Sequence, residues 1–191
     1  MHPTKELLLE EGLAMLLERG YNDLGVQAIL DRTGVPKGSF YHHFLSKEDM
    51  ALQAVDRYIS LGHALLDETL APDDRPPLER IRRFFEQMRK LYAAQGYLGC
   101  LLGALGQELS GANDVFRLKI EECVASIAER IAVCLEEARE IGELPETVNC
   151  QRHANMLVNA WEGAALRSRL LRSPRPLNDF LEFHFPKSAA G

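Results

Sequence analysis

The chain of 191 residues is 46% hydrophobic and 26% charged, which is typical of a folded protein that is neither disordered nor embedded in a membrane. Its formal net charge of -6 at pH 7 counts against a surface that binds nucleic acid throughout, because phosphate neutralisation requires lysine and arginine. No apolar run reaches the roughly 20 residues of a membrane-spanning helix, and the acidic start lacks the pattern of a signal peptide. We therefore expect a cytoplasmic protein.

Helical periodicity extends over nearly the whole chain, and no alternating β pattern or internal repeat interrupts it. Gly20 and Gly34 follow apolar-periodic stretches, at the position where glycine commonly ends a helix. Pro36 suits the first position of a new helix, and residues 46–49, Ser-Lys-Glu-Asp, have the form of a capping box. Helices are predicted at about 8–19, 26–32, 36–43, 47–70, 78–94, 100–109, 114–141 and 146–171, with a short one after Pro176. The predicted fold class is all-α.

A basic window lies over the third predicted helix. The first fifty residues hold five Lys or Arg against eight Asp or Glu, but no acidic residue occurs from Arg32 to Lys47. DNA binding depends on where the positive charge is located and not only on its sum. This window is therefore the candidate DNA-binding segment.

The second and third predicted helices, joined by a glycine-containing turn, form a helix-turn-helix pattern whose second helix can enter the major groove. Phe40 and Phe44 lie four residues apart and are expected to face the core. The side chains that then face outward are Lys37, Ser39, Tyr41, His42 and His43. Gly38 lets the backbone approach DNA closely, and Lys37 can donate to guanine O6 and N7. Tyr41, His43 and Lys47 suit phosphate contacts.

The string GVPKGSFYHHFLSKEDM, residues 34–50, closely resembles the signature of the TetR family of transcriptional regulators, as does the lead-in from Gly20 to Ile29. The resemblance implies a three-helix DNA-binding domain over about 4–44 and a homodimer that binds a palindromic double-stranded operator. It marks as DNA contacts Thr4, Gln27, Lys37, Gly38, Ser39, Tyr41, His42, His43 and Lys47. Gly25 departs from the pattern, since the family usually has Ser or Thr there to cap the second helix.

The C-terminal half is similar to one branch of that family, which includes the N-ethylmaleimide-responsive and acrylate-responsive repressors. The similarity rests on residues 97–109, containing the pattern GC(L)xGxxxxE, and on residues 161–169, WEGAALRSR. Members of this branch are associated with sensing reactive, unsaturated or oxidising small molecules. The resemblance implies a helix-turn-helix domain at 1–46 and a helical ligand-sensing and dimerisation domain at 47–191.

Cys100 is the candidate sensor. It follows Gly99 at the predicted start of a helix, where the helix dipole and free N–H groups favour a thiolate. Trp161, Ala165 and Arg169 are spaced by four residues, so they share one helix face that could form an apolar slot with a positive charge. That guanidinium would lower the pKa of a nearby thiol and could hold a carboxylate. The predicted sensor residues are Cys100, Ala104, Trp161, Ala165 and Arg169.

Related sensors often have Lys at the position of Arg169, so a sulfur–nitrogen crosslink is not expected in this chain. The other three cysteines, Cys123, Cys134 and Cys150, are expected to be buried free thiols. No cysteine pair has metal-ligand spacing, and we expect neither a metal nor a cofactor. His63 and His153 have no matched partners in the sequence pattern.

The last two long helices are expected to form a four-helix interface with those of a second copy. The residues predicted to lie in that interface are Leu157, Ala160, Gly163, Ala164 and Leu170. The predicted function is a repressor released from DNA by a small-molecule inducer, such as a reactive electrophile or an unsaturated acid sensed at Cys100.

Two alternatives stay open at this point. Cys100 could be inert, with a non-covalent acid or coenzyme A ester held by Arg169. Alternatively, the chain could be a helical enzyme or a binding module with a vestigial helix-turn-helix. The chain offers no nucleophile with a matched base, no phosphate loop and no metal triad, so catalytic residues are not expected.

Overall fold

The computed structural model describes residues 3–186, and every regular element within that range is an α-helix. The helices, in chain order, are α1 (Pro3–Arg19), α2 (Val26–Thr33), α3 (Lys37–His43), α4 (Lys47–Leu70), α5 (Pro77–Ala94), α6 (Leu101–Leu109), α7 (Asp114–Glu140), α8 (Cys150–Leu171) and α9 (Arg175–His184). The all-α prediction is confirmed. Over the described range, no helix has both the length and the apolar character that a bilayer crossing demands.

Side-chain caps explain where two of these helices begin. The Ser46 hydroxyl accepts the backbone N–H of Asp49 at 3.1 Å, so the predicted capping box does start α4. The Asn149 side chain accepts the backbone N–H of Arg152 at 2.9 Å and starts α8 at Cys150. This helix begins later than the predicted residue 146, because the turn before Asn149 is not helical.

The described chain divides into two compact units. The first comprises the residues up to Leu61 together with Leu101–Leu118, and the second comprises Gly62–Cys100 together with the residues from Lys119 onward. Each unit is therefore assembled from two separate stretches, and the predicted functional boundary after residue 46 stays a prediction. Helices α4 and α7 contribute residues to both units, because a unit boundary falls inside each helix.

In the first unit, α1, α2 and α3 enclose an apolar core. Its fully buried side chains include Leu8, Met15, Leu16, Leu24, Ile29, Phe40, Phe44 and Met50. A Cβ on Gly12 would lie 2.5 Å from the Met50 sulfur, so the absence of a side chain at Gly12 gives Met50 its space. Arg32 on α2 pairs at 2.7 Å with both Glu11 and Glu18 of α1. Apolar burial and these ion pairs together fix the bundle that carries α3.

The second unit has an aromatic core. The ring of Phe85 lies 5.0 Å from that of Trp161 and 4.9 Å from that of Phe180, measured between centroids. Tyr92 stacks on Trp161 at 5.9 Å. These spacings are those of favourable aromatic contacts, so α5, α8 and α9 are joined through ring packing.

Candidate DNA-binding and ligand-sensing sites

Helix α3 presents a polar face in the first unit. Phe40 and Phe44 are buried, as their spacing predicts. Four of the predicted contact residues on this helix are exposed, namely Lys37, Gly38, Tyr41 and His42. Ser39 and His43 are half-buried on the same helix. The geometry thus presents a short basic and aromatic surface, while the DNA contacts themselves stay a prediction.

The positive charge of this surface is concentrated at one end of α3. Arg32, which lies in the basic window, donates hydrogen bonds to Glu11 and Glu18 and has a raised pKa for that reason. Its charge is therefore compensated within the protein. Lys37 is exposed at the first residue of α3, which leaves its ammonium group accessible to a phosphate or a base edge.

The remaining DNA-contact candidates lie around this helix. Lys47, at the start of α4, donates from Nζ to the Tyr21 carbonyl at 3.1 Å and lies 4.2 Å from the centroid of the Tyr21 ring. Gln27 is exposed, and its amide donates to Asp31 at 2.8 Å. Thr4 is half-buried in the first turn of α1. Lys47 is therefore held by the turn that joins α1 and α2.

In the second unit, residues 98–100, which precede α6, each contact helix α8. The Arg169 guanidinium donates to the Leu98 carbonyl at 2.9 Å. Gly99, whose φ is +81°, packs so closely that a Cβ would lie 3.4 Å from the Ala165 carbonyl oxygen. The Cys100 thiol donates a hydrogen bond to the Glu162 carboxylate. Because the partners step down α8 from 169 to 165 to 162, this segment runs antiparallel to the helix.

The carboxyl group of Glu162 is the unexpected member of this site. Burial raises its pKa, and the hydrogen bond from Cys100 offsets part of that rise. A carboxylate hydrogen-bonded to a thiol can accept its proton when the sulfur forms a new bond. Glu162 lies seven residues before Arg169, and this spacing places both side chains on one helix face. The sequence therefore offered a signal that Glu162 shares the face of the predicted sensor residue Arg169.

Three of the predicted sensor residues have different surroundings from Cys100. Trp161 is 4% exposed and packs among aromatic rings of the core. Ala165 is buried beneath Gly99, so the space over this part of the predicted slot is filled by the protein itself. Ala104 lies on α6 in the first unit and is half-buried there.

The other cysteines are free thiols with buried side chains. Burial raises the pKa of both Cys123 and Cys134 to about 11. The sulfur of Cys123 lies 3.9 Å from Nε2 of His63, so His63 has a partner that the sequence pattern does not reveal. The pKa values of Cys123 and Cys134 leave little thiolate at neutral pH, so these two thiols are poorly suited to react with a solute.

Two family models match the chain. One, described as bacterial regulatory proteins of the tetR family, matches residues 8–54. The other, described as a tetracyclin repressor-like C-terminal domain, matches residues 77–183, more than half of the chain. The chain belongs to the TetR family. It is a transcriptional repressor of that family, as the resemblance of residues 34–50 predicts.

Similar proteins include members of the predicted branch. The transcriptional regulator AcuR of Cereibacter sphaeroides is 37% identical over 174 residues, covering 91% of this chain and 80% of AcuR. The repressor NemR of Escherichia coli is 30% identical over 181 residues, covering 94% and 91% of the two chains. A crystal structure of a TetR regulatory protein from Rhodobacter sphaeroides superposes with a TM-score of 0.89 at 36% identity, covering 94% and 95%. NemR in its reduced form gives a TM-score of 0.83 at 29% identity, covering 95% of each chain.

The predicted interface residues of this TetR-family repressor differ in exposure. Leu157 is 1% exposed and belongs to the core of its own chain, so it offers no surface to a second copy. Ala160 and Ala164 are half-buried against the same core. Gly163 and Leu170 are exposed on α8. Of the predicted set, these last two present the most surface to a partner.

Proposed function

We propose that this repressor binds a palindromic operator as a homodimer and is released when a neutral electrophile adds to Cys100. The observation that carries the proposal is the hydrogen bond from the Cys100 thiol to the Glu162 carboxylate, on a segment fixed against α8. The branch to which the chain is similar includes N-ethylmaleimide-responsive repressors. The solved structure of NemR, a relative, is described as a reduced form.

The reaction at Cys100 is a conjugate addition. The sulfur bonds to the β-carbon of an unsaturated carbonyl compound, and the thiol proton passes to the Glu162 carboxylate. The electron pair of the carbon–carbon double bond moves to form an enolate, which takes a proton back and leaves a thioether. A carboxylate beside the sulfur disfavours an anionic reactant by charge repulsion. Neutral maleimides, quinones and enals are therefore the preferred class over acrylate.

On the DNA side, the two copies of α3 occupy successive major grooves, with their centres one helical turn or roughly 34–36 Å apart. Lys37 and Tyr41 supply contacts from the exposed face of α3. Release requires a shift between two states of the dimer, and a coupling of about 1–3 kcal/mol suffices for an effect of this kind. Helix α4 is continuous from Lys47 to Leu70 and carries part of that shift.

The dimer is proposed to form through α8 and its copy. Met156, Gly163, Leu166 and Leu170 are exposed and follow one another at intervals of seven, three and four residues. Such spacing places them in one stripe along the helix. An exposed apolar stripe on a long helix favours burial against a second copy.

Replacing Leu166 by glutamate is expected to weaken the dimer at least about tenfold, because two like charges would face each other near the two-fold axis. Analytical ultracentrifugation over a concentration series measures the dissociation constant. Leu91→Glu is the matched control, since Leu91 is similarly exposed, at 48% against 43%, but lies on α5. Equal dissociation constants for the two variants would rule out the α8 stripe as the interface.

N-ethylmaleimide is expected to label Cys100 first at pH 8, because Cys123, Cys134 and Cys150 are buried and Cys100 is partly exposed. A thiol with a pKa of about 11, as for Cys123 and Cys134, is only about one part in a thousand thiolate at that pH. Mass spectrometry of tryptic peptides after short exposure measures the order of labelling. Faster labelling of Cys123, Cys134 or Cys150 would contradict the prediction.

Cys100→Ser is expected to keep operator binding and lose release by N-ethylmaleimide, because serine is far less nucleophilic. Fluorescence anisotropy on the DNA upstream of the repressor's own gene measures both. Cys123→Ala is the control and should release normally. Release from Cys100→Ser as complete as from the unaltered protein would overturn the assignment of Cys100 as the sensor and direct attention to the other three cysteines.

A further inference from the structure

The last turn of α6 makes a specific contact in the first unit. Glu108 accepts two backbone hydrogen bonds with its carboxylate, from the N–H of Tyr21 at 2.9 Å and from the N–H of Asn22 at 2.6 Å. Both donors lie in the turn between α1 and α2. Hydrogen bonds to a charged acceptor are stronger than neutral ones, so this carboxylate fixes the conformation of the turn.

The fit between the turn and the carboxylate is close. Gly20 has a φ of +81°, a conformation that side chains disfavour. A Cβ at Gly20 would lie 2.5 Å from the Glu108 oxygen. The turn therefore requires glycine both for its backbone conformation and for the approach of the carboxylate.

The same turn also holds the start of α4. The Tyr21 carbonyl accepts a hydrogen bond from Lys47, whose ammonium group lies over the Tyr21 ring. The Tyr21 ring packs on Phe116 with centroids 5.3 Å apart. Nearby, Asn113 donates to Glu48 at 2.6 Å. The turn is thus the common point at which α6, the start of α7 and the start of α4 meet in this unit.

We propose that Glu108 is a positioning residue for operator recognition. Its carboxylate holds the α1–α2 turn, which sets the position of Lys47 and of helix α2, against which α3 packs. Glu108 is not among the predicted DNA contacts, so it acts on affinity through the geometry of other residues. Glu108 is the final glutamate of the GC(L)xGxxxxE pattern, so the proposal gives that position of the pattern a role.

The position of Glu108 also suggests how a signal reaches the turn. Helix α6 begins at Leu101, the residue directly after Cys100, and ends at Leu109, directly after Glu108. A rearrangement of Cys100 that displaces α6 would pull the carboxylate from the turn. This step, unlike the positioning role, rests on the proposed sensing at Cys100.

The test is Glu108→Gln. Its amide oxygen can accept a hydrogen bond, but its NH2 group would face the second N–H, so one of the two bonds is lost. We expect affinity for the upstream operator DNA to fall about tenfold, or about 1.4 kcal/mol. Affinity for random-sequence DNA of the same length should be unchanged or slightly higher, because a negative charge has been removed.

Asp23→Asn is the matched control. Asp23 is exposed in the same turn and its replacement removes the same charge. It should leave the ratio of specific to random-sequence affinity unchanged. If Glu108→Gln behaves like Asp23→Asn, the positioning role is overturned. If it lowers both affinities equally together with the thermal unfolding midpoint, Glu108 only stabilises the fold, and the proposal also fails.

A last experiment tests whether a change at Cys100 reaches the α1–α2 turn through α6. N-ethylmaleimide should reduce the operator affinity of Glu108→Gln by a smaller factor than that of the unaltered protein, because the turn is already partly released. An equal factor would overturn the link through α6. If N-ethylmaleimide has no effect even on the unaltered protein, the sensing proposal and the link both fail, whereas the comparison without inducer still decides the positioning role.

Discussion

Replacing Trp161 by alanine is expected to lower the free energy of unfolding by about 3–5 kcal/mol, the range for truncating a large buried aromatic side chain. Trp161 is 4% exposed, and its ring contacts those of Phe85, Tyr92 and Phe180. Alanine would leave a cavity bordered by these rings. Urea unfolding followed by circular dichroism measures the loss, since Trp161 is the sole tryptophan and its fluorescence disappears with it.

Trp161→Phe is the companion variant. It keeps a ring and removes an indole N–H that, within the described residues, is buried without an acceptor. A buried donor without an acceptor lowers the stability of the folded state by about 1–3 kcal/mol. Its removal offsets part of the packing lost with the larger ring, so we expect the free energy of unfolding to fall by less than about 1.5 kcal/mol. A loss from Trp161→Ala no larger than that from Trp161→Phe would contradict the assignment of Trp161 to the core. A near-normal stability with a weakened response to N-ethylmaleimide would instead place the indole N–H at the inducer.

The parts of the fold that the sequence predicts depend on neighbouring residues. The spacing of Phe40 and Phe44 is enough to show which face of α3 is buried, because helix geometry places both on one side. The capping box at Ser46 and Asp49 likewise fixes the start of α4 from four adjacent residues. Helical periodicity and end signals therefore carry most of the architecture without any knowledge of tertiary contacts.

The parts that the sequence does not predict depend on distant partners. Glu108 contacts Tyr21 across 87 positions, and nothing local distinguishes it from a solvated glutamate at a helix end. Glu162 meets Cys100 through the path of the loop before α6, which periodicity does not specify. An aromatic residue on an apolar helix face suits a core and a ligand wall equally, and for Trp161 only the surrounding rings distinguish the two.

The acidic balance of the chain is reconciled with DNA binding by the separate locations of the negative and positive charges. In the first unit, Glu11 and Glu18 pair with Arg32, and Glu6 and Glu10 pair with Arg57. The two guanidinium groups offset two of these four carboxylate charges, and all four carboxylates lie on α1 and not on α3. The exposed face of α3 carries Lys37 without an acidic residue in its own sequence, so its local field favours phosphate despite the net charge.

Lys37→Ala is therefore expected to lower operator affinity by about 1–3 kcal/mol, roughly tenfold to a hundredfold. If Lys37 contacts a base edge, the loss should be concentrated on the specific operator. If it contacts a phosphate, affinity for all DNA should fall, and the slope of log affinity against log salt should become shallower by about 1. Fluorescence anisotropy across a salt series, on operator and on random-sequence DNA, measures both quantities.

Lys90→Ala removes the same charge from an exposed position on α5 and is the matched control. If Lys37 acted only through long-range attraction, the two variants would have nearly equal affinities for the operator. Each variant removes one positive charge, and salt screens both charges. A loss confined to Lys37→Ala would place a direct contact at the start of α3. Equal affinities of the two variants for the operator would exclude Lys37 from the interface and leave Tyr41 and His42 as the residues of α3 to examine next.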